Sequence, residues 1–397
     1  MPTGSHSTLR QSPKGTQNAP TKAADIAGIV ADRLDSTNWP RIRALVWLLA
    51  VKAAEPLSQS LSYFLLLAFQ PVSVLGCYGC PMKYLLSHTS ALEYWSHCDI
   101  PEGMPFPRSR LTFDDPLTKQ VAKDLPIPGF IHFPIDVLVN DKGAMRTSDR
   151  VVSHRWERLP VGSCSKIAQT LYVSAPEACF LQLASSADLV ELIKIGYELC
   201  GTYAVASDGA DLADLRPRTS ADKLRRYLDR VSGIAGVKMA RRAASFVVDG
   251  SASPMETSIA LLLTLPTSLG GFGFPRPSMN HEVQVKGRKY RCDLCWPAQR
   301  FALEYDSDTH HSSQYKLNVD STRRTQLELS GFHVISISKM QVFQPILFRD
   351  VARVTAEHLG IRHQSTRVDF EARHTRLRWQ VLESGRYRAE RQDDAPS

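Results

Sequence analysis

No stretch of this chain is long and apolar enough to suggest a transmembrane helix. The best candidates, Ala44–Val51 and Leu61–Phe69, are short and are separated by Lys52, Glu55 and Pro56. Nor does the start show the basic residues, apolar run and small-residue cleavage site of a secretory leader; its first residues are Ser, Thr, Pro, Gln and Gly. Cysteine is scarce: 8 in 397 residues cannot staple a chain of this length, which argues for a reduced, cytoplasmic protein with no membrane partner. Internal repeats are missing too. The one glycine cluster, Gly270-Gly271-Phe272-Gly273, lacks the Lys-Ser/Thr of a phosphate loop and reads as a helix stop. Two Cys-x-x-Cys pairs, Cys77/Cys80 and Cys292/Cys295, raise a four-thiolate zinc site. The second pair falls in an expected strand, where positions i and i+3 face opposite ways, so a loop pair and two strand fillers are the expectation.

What the chain does have is ordinary apolar content (43%) and a net charge of +8. The first permits a sizeable core; the second suits contact with a polyanion, although charge alone decides nothing. Length suggests two or three compact units. Residues 1–40 are polar and poor in large apolar side chains and read as a disordered tail, followed by an apolar helical extension over 41–82. Residues 83–217 read as an α/β or α+β region. Within it, helix-like Ser90–Trp95 precedes a half-buried strand with Ile135, Val137 and Val139 alternating, and Leu171–Val173 forms another strand. Ser174-Ala175-Pro176-Glu177 has capping-box spacing, and a helix is expected from Ala187 to Leu199. A basic helical connector (218–250), a final α/β unit (251–362) and an Arg-rich tail (363–397) follow. The tail reads either as a phosphate-binding segment or as a surface helix beginning near Val368.

The final unit carries the chemistry. Ser253-Pro254-Met255-Glu256 starts a helix that is expected to end near Leu269-Gly270-Gly271. A hairpin follows, turning at Lys286-Gly287-Arg288, then a strand at Arg300–Asp306, a helix from Tyr315 to Ser330 with Gly331 as its stop, and a strand at Phe332–Ser338. The order is α-β-β-β-α-β. Alternation puts Phe301, Leu303 and Tyr305 on one face, leaving Glu304 and Asp306 on the other. On the preceding strand Leu294 and Trp296 take the apolar face, and Asp293 lies opposite. Neighbouring strands would then gather three carboxylates, a set that repels itself unless cations compensate it. Hard oxygen ligands suit Mg²⁺ or Mn²⁺. The plainer alternative is that these acids solvate an outer sheet face, although strands disfavour Asp and Glu. Glu256 has a local alternative as a capping-box acid with Ser253.

The run Arg291-Cys292-Asp293-Leu294-Cys295-Trp296-Pro297, then Phe301-Ala302-Leu303-Glu304-Tyr305-Asp306, His310-His311, Asp320-x-x-Arg323, Leu327 and Gly331-Phe332-His333-Val334-Ile335, resembles the Vsr-like endonucleases of the PD-(D/E)XK superfamily. That resemblance implies a restriction-endonuclease-like fold and metal-dependent hydrolysis of phosphodiester bonds, with DNA as the substrate by analogy. It implies metal binding by Asp293 and Glu304, with Glu256 as the helical acid. His310 would stand near the attacking water or the leaving group, as would His311, with Arg323, Arg324 and His311 toward nucleic acid. Two departures stand out: Asp306 occupies the superfamily's Lys position, and Ser307 replaces the Gly that usually follows. Upstream, Ser87-His88-Thr89-Ser90-Ala91-Leu92, Val152-Ser153-His154-Arg155 and Tyr172-Val173-Ser174-Ala175-Pro176-Glu177 are similar to abortive-infection antitoxin-like proteins. Residues before Met82 resemble no known family and read as a lineage-specific extension or the product of a start codon placed too early. The competing reading is a catalytically inactive, DNA-binding regulator of antitoxin type; a third makes the chain a protein partner within a defence complex.

Overall fold

The computed structural model describes residues 83–98, 127–157, 160–206, 209–306, 323–361 and 369–383, all within one compact unit spanning residues 79–397. The expected tail at 1–40 and extension at 41–82 lie outside the described residues, as do His310 and His311. The architecture is mixed α/β, with two principal sheets and a two-stranded ribbon. Among the described residues no helix is long and apolar enough to cross a membrane.

The first sheet has the order β3-β2-β1-β5-β4, from β1 (Tyr84–Leu86), β2 (Ile135–Val139), β3 (Val151–Arg155), β4 (Cys164–Lys166) and β5 (Leu171–Ser174). β1 pairs in parallel with β5 and antiparallel with β2. Central placement explains why all four residues of β5 are buried. β2 departs from the half-buried expectation in the same way: Leu138 is as buried as Ile135, Val137 and Val139. Around this sheet pack α1 (His88–His97), α2 (Pro176–Leu183) and α3 (Leu189–Cys200). The capping box expected at Ser174 does not form. Ala175 is the N-cap, Ser174 ends β5 and accepts a hydrogen bond from Gln182, and the Glu177 carboxylate accepts one from Thr219 at 2.6 Å. Proline at the first helical position sets the helix start without a side-chain cap.

The ribbon β6 (Ala204–Val205) and β7 (Asp211–Leu212) and the helices α4 (Ala221–Asp229) and α5 (Val237–Ala244) lead into the second sheet. There, α6 (Pro254–Thr264) is followed by β8 (Ser278–Val285), β9 (Arg288–Trp296) and β10 (Phe301–Asp306). A helical segment at 323–329 and β11 (His333–Ser338) complete the set. The order is β11-β10-β9-β8, antiparallel across β8, β9 and β10 and parallel between β10 and β11. Helix α6 stops at Thr264 rather than near Gly270, because Pro266 cannot continue it; a short 3-10 turn, Thr267–Leu269, fills the gap. Lys286 and Gly287 both have positive φ (49° and 79°), as a two-residue hairpin turn of the primed type requires, so Arg288 already belongs to β9. Gly331 stops the 323–329 helix with φ 85°.

One apolar core runs from Tyr84 to Leu382 through the expected boundaries at 217/218 and 250/251. Leu294, Trp296, Phe301 and Leu303 join it from the second sheet, and the 323–329 helix covers the opposite face with Leu327 over Cys292, Cys295 and Ala302. Both faces of that sheet are therefore covered. Truncating Phe301 to Ala would cost about 3–5 kcal/mol. Helices α7 (Lys339–Phe343) and α8 (Pro345–Leu359) follow, and α9 (Phe370–Arg378) closes the core. Part of the Arg-rich tail is thus structural: Leu377 and Arg378 are buried, and the Arg378 guanidinium donates to the carbonyls of Val342 and Phe343.

Candidate active site

Acidic side chains from three elements follow one another across the second sheet: Glu256 on α6 is close enough to Asp293 on β9 to feel its charge, and Asp293 neighbours Glu304 on β10. The β9–β10 register runs Phe301↔Trp296, Ala302↔Cys295, Leu303↔Leu294; one step further, Glu304 comes opposite Asp293. The pairing is fastened by the Tyr305 backbone N–H, which donates to Asp293 Oδ2 at 2.8 Å. On the other flank of β9, the β8 ladder pairs Met279↔Leu294 and His281↔Cys292 but not the Asn280–Asp293 position between them. Asn280 there has φ 49°, a left-handed conformation that Asn tolerates better than most residues.

That irregularity has two consequences. Cys292 and Cys295, expected on opposite faces, both fall in the small cluster under the 323–329 helix. Their thiols are hydrogen-bonded to one another, which pushes Cys292 up from the ordinary thiol range. The second consequence is at Asn280 itself, whose Nδ2 donates to Glu256 Oε2 at 2.5 Å and to the Gly250 carbonyl at 3.0 Å. This fixes Glu256 beside Asp293. No local pattern marks Asn280; its one sequence signal is an Asn inside an otherwise strand-like run.

Glu256 holds both roles open to it. Ser253 Oγ accepts the Glu256 N–H at 3.1 Å, and the Glu256 carboxylate accepts from the Ser253 hydroxyl and, at 2.9 Å, from the Ala252 N–H. It is also 7% exposed and close enough to Asp293 to feel its charge. Burial first, and Asp293 second, push its pKa up to about 7 against the pull of the three hydrogen bonds. Asp293 is likewise held above the usual aspartate range, by burial, with the Tyr305 N–H, Arg323 and Arg291 pulling the other way.

Glu304 is 13% exposed at its side chain, and Arg323 donates to its Oε1 at 2.6 Å. The same guanidinium nitrogen also bonds the Arg291 carbonyl. Asp306 ends β10 in an exposed position opposite Ser338 on β11, and Arg324 bonds the Ser336 hydroxyl. Asp293 is therefore flanked by Glu256 and by the Glu304–Arg323 pair, whereas Asp306 and Arg324 contact β11. The covered setting of Asp293 and Glu304 is unlike that of acids merely solvating an open sheet face. Among the described residues no group of three or more His, Cys, Asp or Glu side chains is arranged to hold a metal ion. The donor chemistry nevertheless fits a hard cation: Asp293 and Glu304 offer carboxylate oxygens on adjacent strands.

No family model matches the chain, and no solved structure does. Among curated proteins it is similar to two proteins of Mycobacterium tuberculosis, one from each of two strains and each described only as uncharacterized. Identity is 25% over 146 residues, which is 36% of this chain and 51% of each relative. The chain thus spans about half the length of the curated relatives it matches.

Proposed function

We propose that the unit built on α6 and the second sheet is a PD-(D/E)XK-type nuclease of the Vsr-like branch with a restriction-endonuclease-like fold. It hydrolyses phosphodiester bonds, with DNA as the substrate and Mg²⁺ or Mn²⁺ as the cofactor. The observation that carries this reading is the placing of Asp293 and Glu304 on neighbouring strands, with Glu256 from α6 beside Asp293. The net charge of +8 agrees with a polyanionic substrate. Asp293 and Glu304 would hold the cation, which when bound supplies charge neutralisation and an acidified water. The remaining work falls to the chain. The Tyr305 N–H and the β9–β10 register orient Asp293, and Asn280 with the α6 N-terminus orients Glu256. With a pKa near 7, Glu256 can accept or release a proton at its carboxylate close to neutral pH. Asp306 brings no positive charge, and in this site that charge comes from Arg323. His310 and His311 are the further candidates for proton transfer and substrate contact. The upstream resemblance to antitoxin-like proteins supports a role in phage defence or a toxin–antitoxin-like system, with a defence-complex protein as a further partner.

The test is nicking of supercoiled plasmid with Mg²⁺, Mn²⁺ or EDTA, comparing wild type with Asp293→Ala and Glu304→Ala. Metal-dependent cleavage lost in both variants is the expected result. One observation favours a second reading: Arg323 already neutralises Glu304, as it would in a fold kept for binding alone. If wild type and variants are equally inert yet bind DNA with salt-dependent affinity, the chain is a regulator rather than an enzyme.

A further inference from the structure

We infer that Arg323 is a resident cation of this site: its guanidinium stands where a divalent ion would engage Glu304, so metal entry and the Arg323–Glu304 ion pair exclude one another. The inference rests on reading Asp293 and Glu304 as metal ligands. Its starting point is the 2.6 Å contact between Arg323 and Glu304 Oε1, at a carboxylate whose side chain is only 13% exposed. A second acceptor, the Arg291 carbonyl on β9, anchors the same nitrogen, so the guanidinium bridges β9 and β10 rather than hanging from one side chain. Its charge also reaches Asp293, the other proposed ligand. Arg323 thus acts on both acids, and Arg291 acts on Asp293 as well.

The contact favours a gate over a simple structural tie because the oxygen it engages belongs to a proposed metal ligand. Arg323 occupies Oε1 of Glu304, one of the two carboxylates that would hold the cation, and is anchored there by the Arg291 carbonyl. A divalent ion carries twice the charge on a smaller radius and would compete with the guanidinium for that carboxylate. Arg323 neutralises Glu304 and holds its carboxylate in position. It must then release Oε1 before a metal can use that oxygen. Released, the guanidinium stands beside the ligand set, suited to a phosphate oxygen by its fork of donors.

Direct Mn²⁺ binding to the full chain without nucleic acid, followed by electron paramagnetic resonance of free Mn²⁺, tests this apart from any activity. Arg323→Gln should bind Mn²⁺ about tenfold more tightly than wild type. Arg323→Lys, which keeps the charge but cannot bridge Glu304 and the Arg291 carbonyl with one planar fork, should fall between the two and guards against a misfolded Gln variant. Arg291→Gln removes a charge that also reaches Asp293 and serves as the control for a general field; it should change affinity by less than about threefold. Adding Glu304→Gln to Arg323→Gln should abolish the gain. Equal or weaker Mn²⁺ binding by Arg323→Gln, an equal gain in Arg291→Gln, or no binding by any variant would each overturn the gate. Tighter Mn²⁺ binding without plasmid nicking would leave the gate standing and remove the nuclease reading. Nicking by wild type with no gain in Arg323→Gln would do the reverse.

Discussion

Asn280 Nδ2 lies 2.5 Å from Glu256 Oε2, joining a left-handed residue of β8 to the first turn of α6. The same amide donates to the Gly250 carbonyl, so one side chain ties β8 to the loop before the helix and aims the helical acid. Asn280→Ala removes both bonds and leaves a non-glycine residue with positive φ; a loss of about 2–3 kcal/mol is expected in urea unfolding. Asn280→Gly relieves the backbone and should recover part of that loss. If Asn280→Ala unfolds at the wild-type urea concentration, the amide does not hold the two elements together.

Glu256 makes stability depend on pH. Its folded pKa, about 7, lies above the ordinary 4.5, so the folded state binds its proton more tightly than the unfolded chain does. The associated stability is fully present below about pH 4.5 and is lost as pH rises through 7, by up to roughly 3 kcal/mol. Glu256→Gln should lose less stability over that window, and the difference between variant and wild type should grow with pH. Urea unfolding of both proteins at about pH 5 and about pH 8 measures it. Parallel pH profiles would mean that Glu256 titrates normally.

Local signals were the legible ones. Ser253-Pro254 marked the start of α6, alternation assigned Leu294, Trp296, Phe301 and Leu303 to the core face, and Lys286-Gly287 marked the hairpin. That alternation also separated Glu304 from the core side of β10. The sequence concealed relationships made by distant parts of the chain. Glu177 had the right spacing to cap its own helix but bonds Thr219, which is 42 residues away. Cys292 and Cys295 meet because Asn280 breaks the ladder beside them, and strict period-two reasoning has no place for such a break. Arginine content hid the amphipathic character of α9: Phe370, His374 and Leu377 face the core while Arg376 does not.

Helix α9 is therefore expected to behave as core rather than as a tail. Leu377→Ala should cost about 2–5 kcal/mol, whereas Arg376→Ala should stay within about 0.5 kcal/mol. Gly270→Ala is a third probe of the same docking. Gly270 has φ 95°, and an added Cβ would lie 2.4 Å from the Arg373 carbonyl oxygen on α9. That substitution should lower the melting temperature clearly. Equal melting temperatures for all three variants would show that α9 is dispensable to the fold.

Asp293 should reveal a conflict between stability and function. Burial disfavours its charged form more than the Tyr305 N–H, Arg323 and Arg291 favour it, so the ionised acid is a net strain on the folded state at neutral pH. Asp293→Asn removes the charge and keeps a carbonyl oxygen for the Tyr305 N–H. The variant should lose plasmid nicking yet gain roughly 0.5–2 kcal/mol of stability, as relieving a functional compromise commonly does. Glu304→Gln should differ: its acid is already paired with Arg323, so neutralising it removes an ion pair and leaves the guanidinium with the Arg291 carbonyl. Stability there should be unchanged or lower. Thermal melts of both variants at about pH 8 separate the cases. A lower melting temperature for Asp293→Asn would mean that the carboxylate serves the fold rather than being kept for chemistry at the fold's expense.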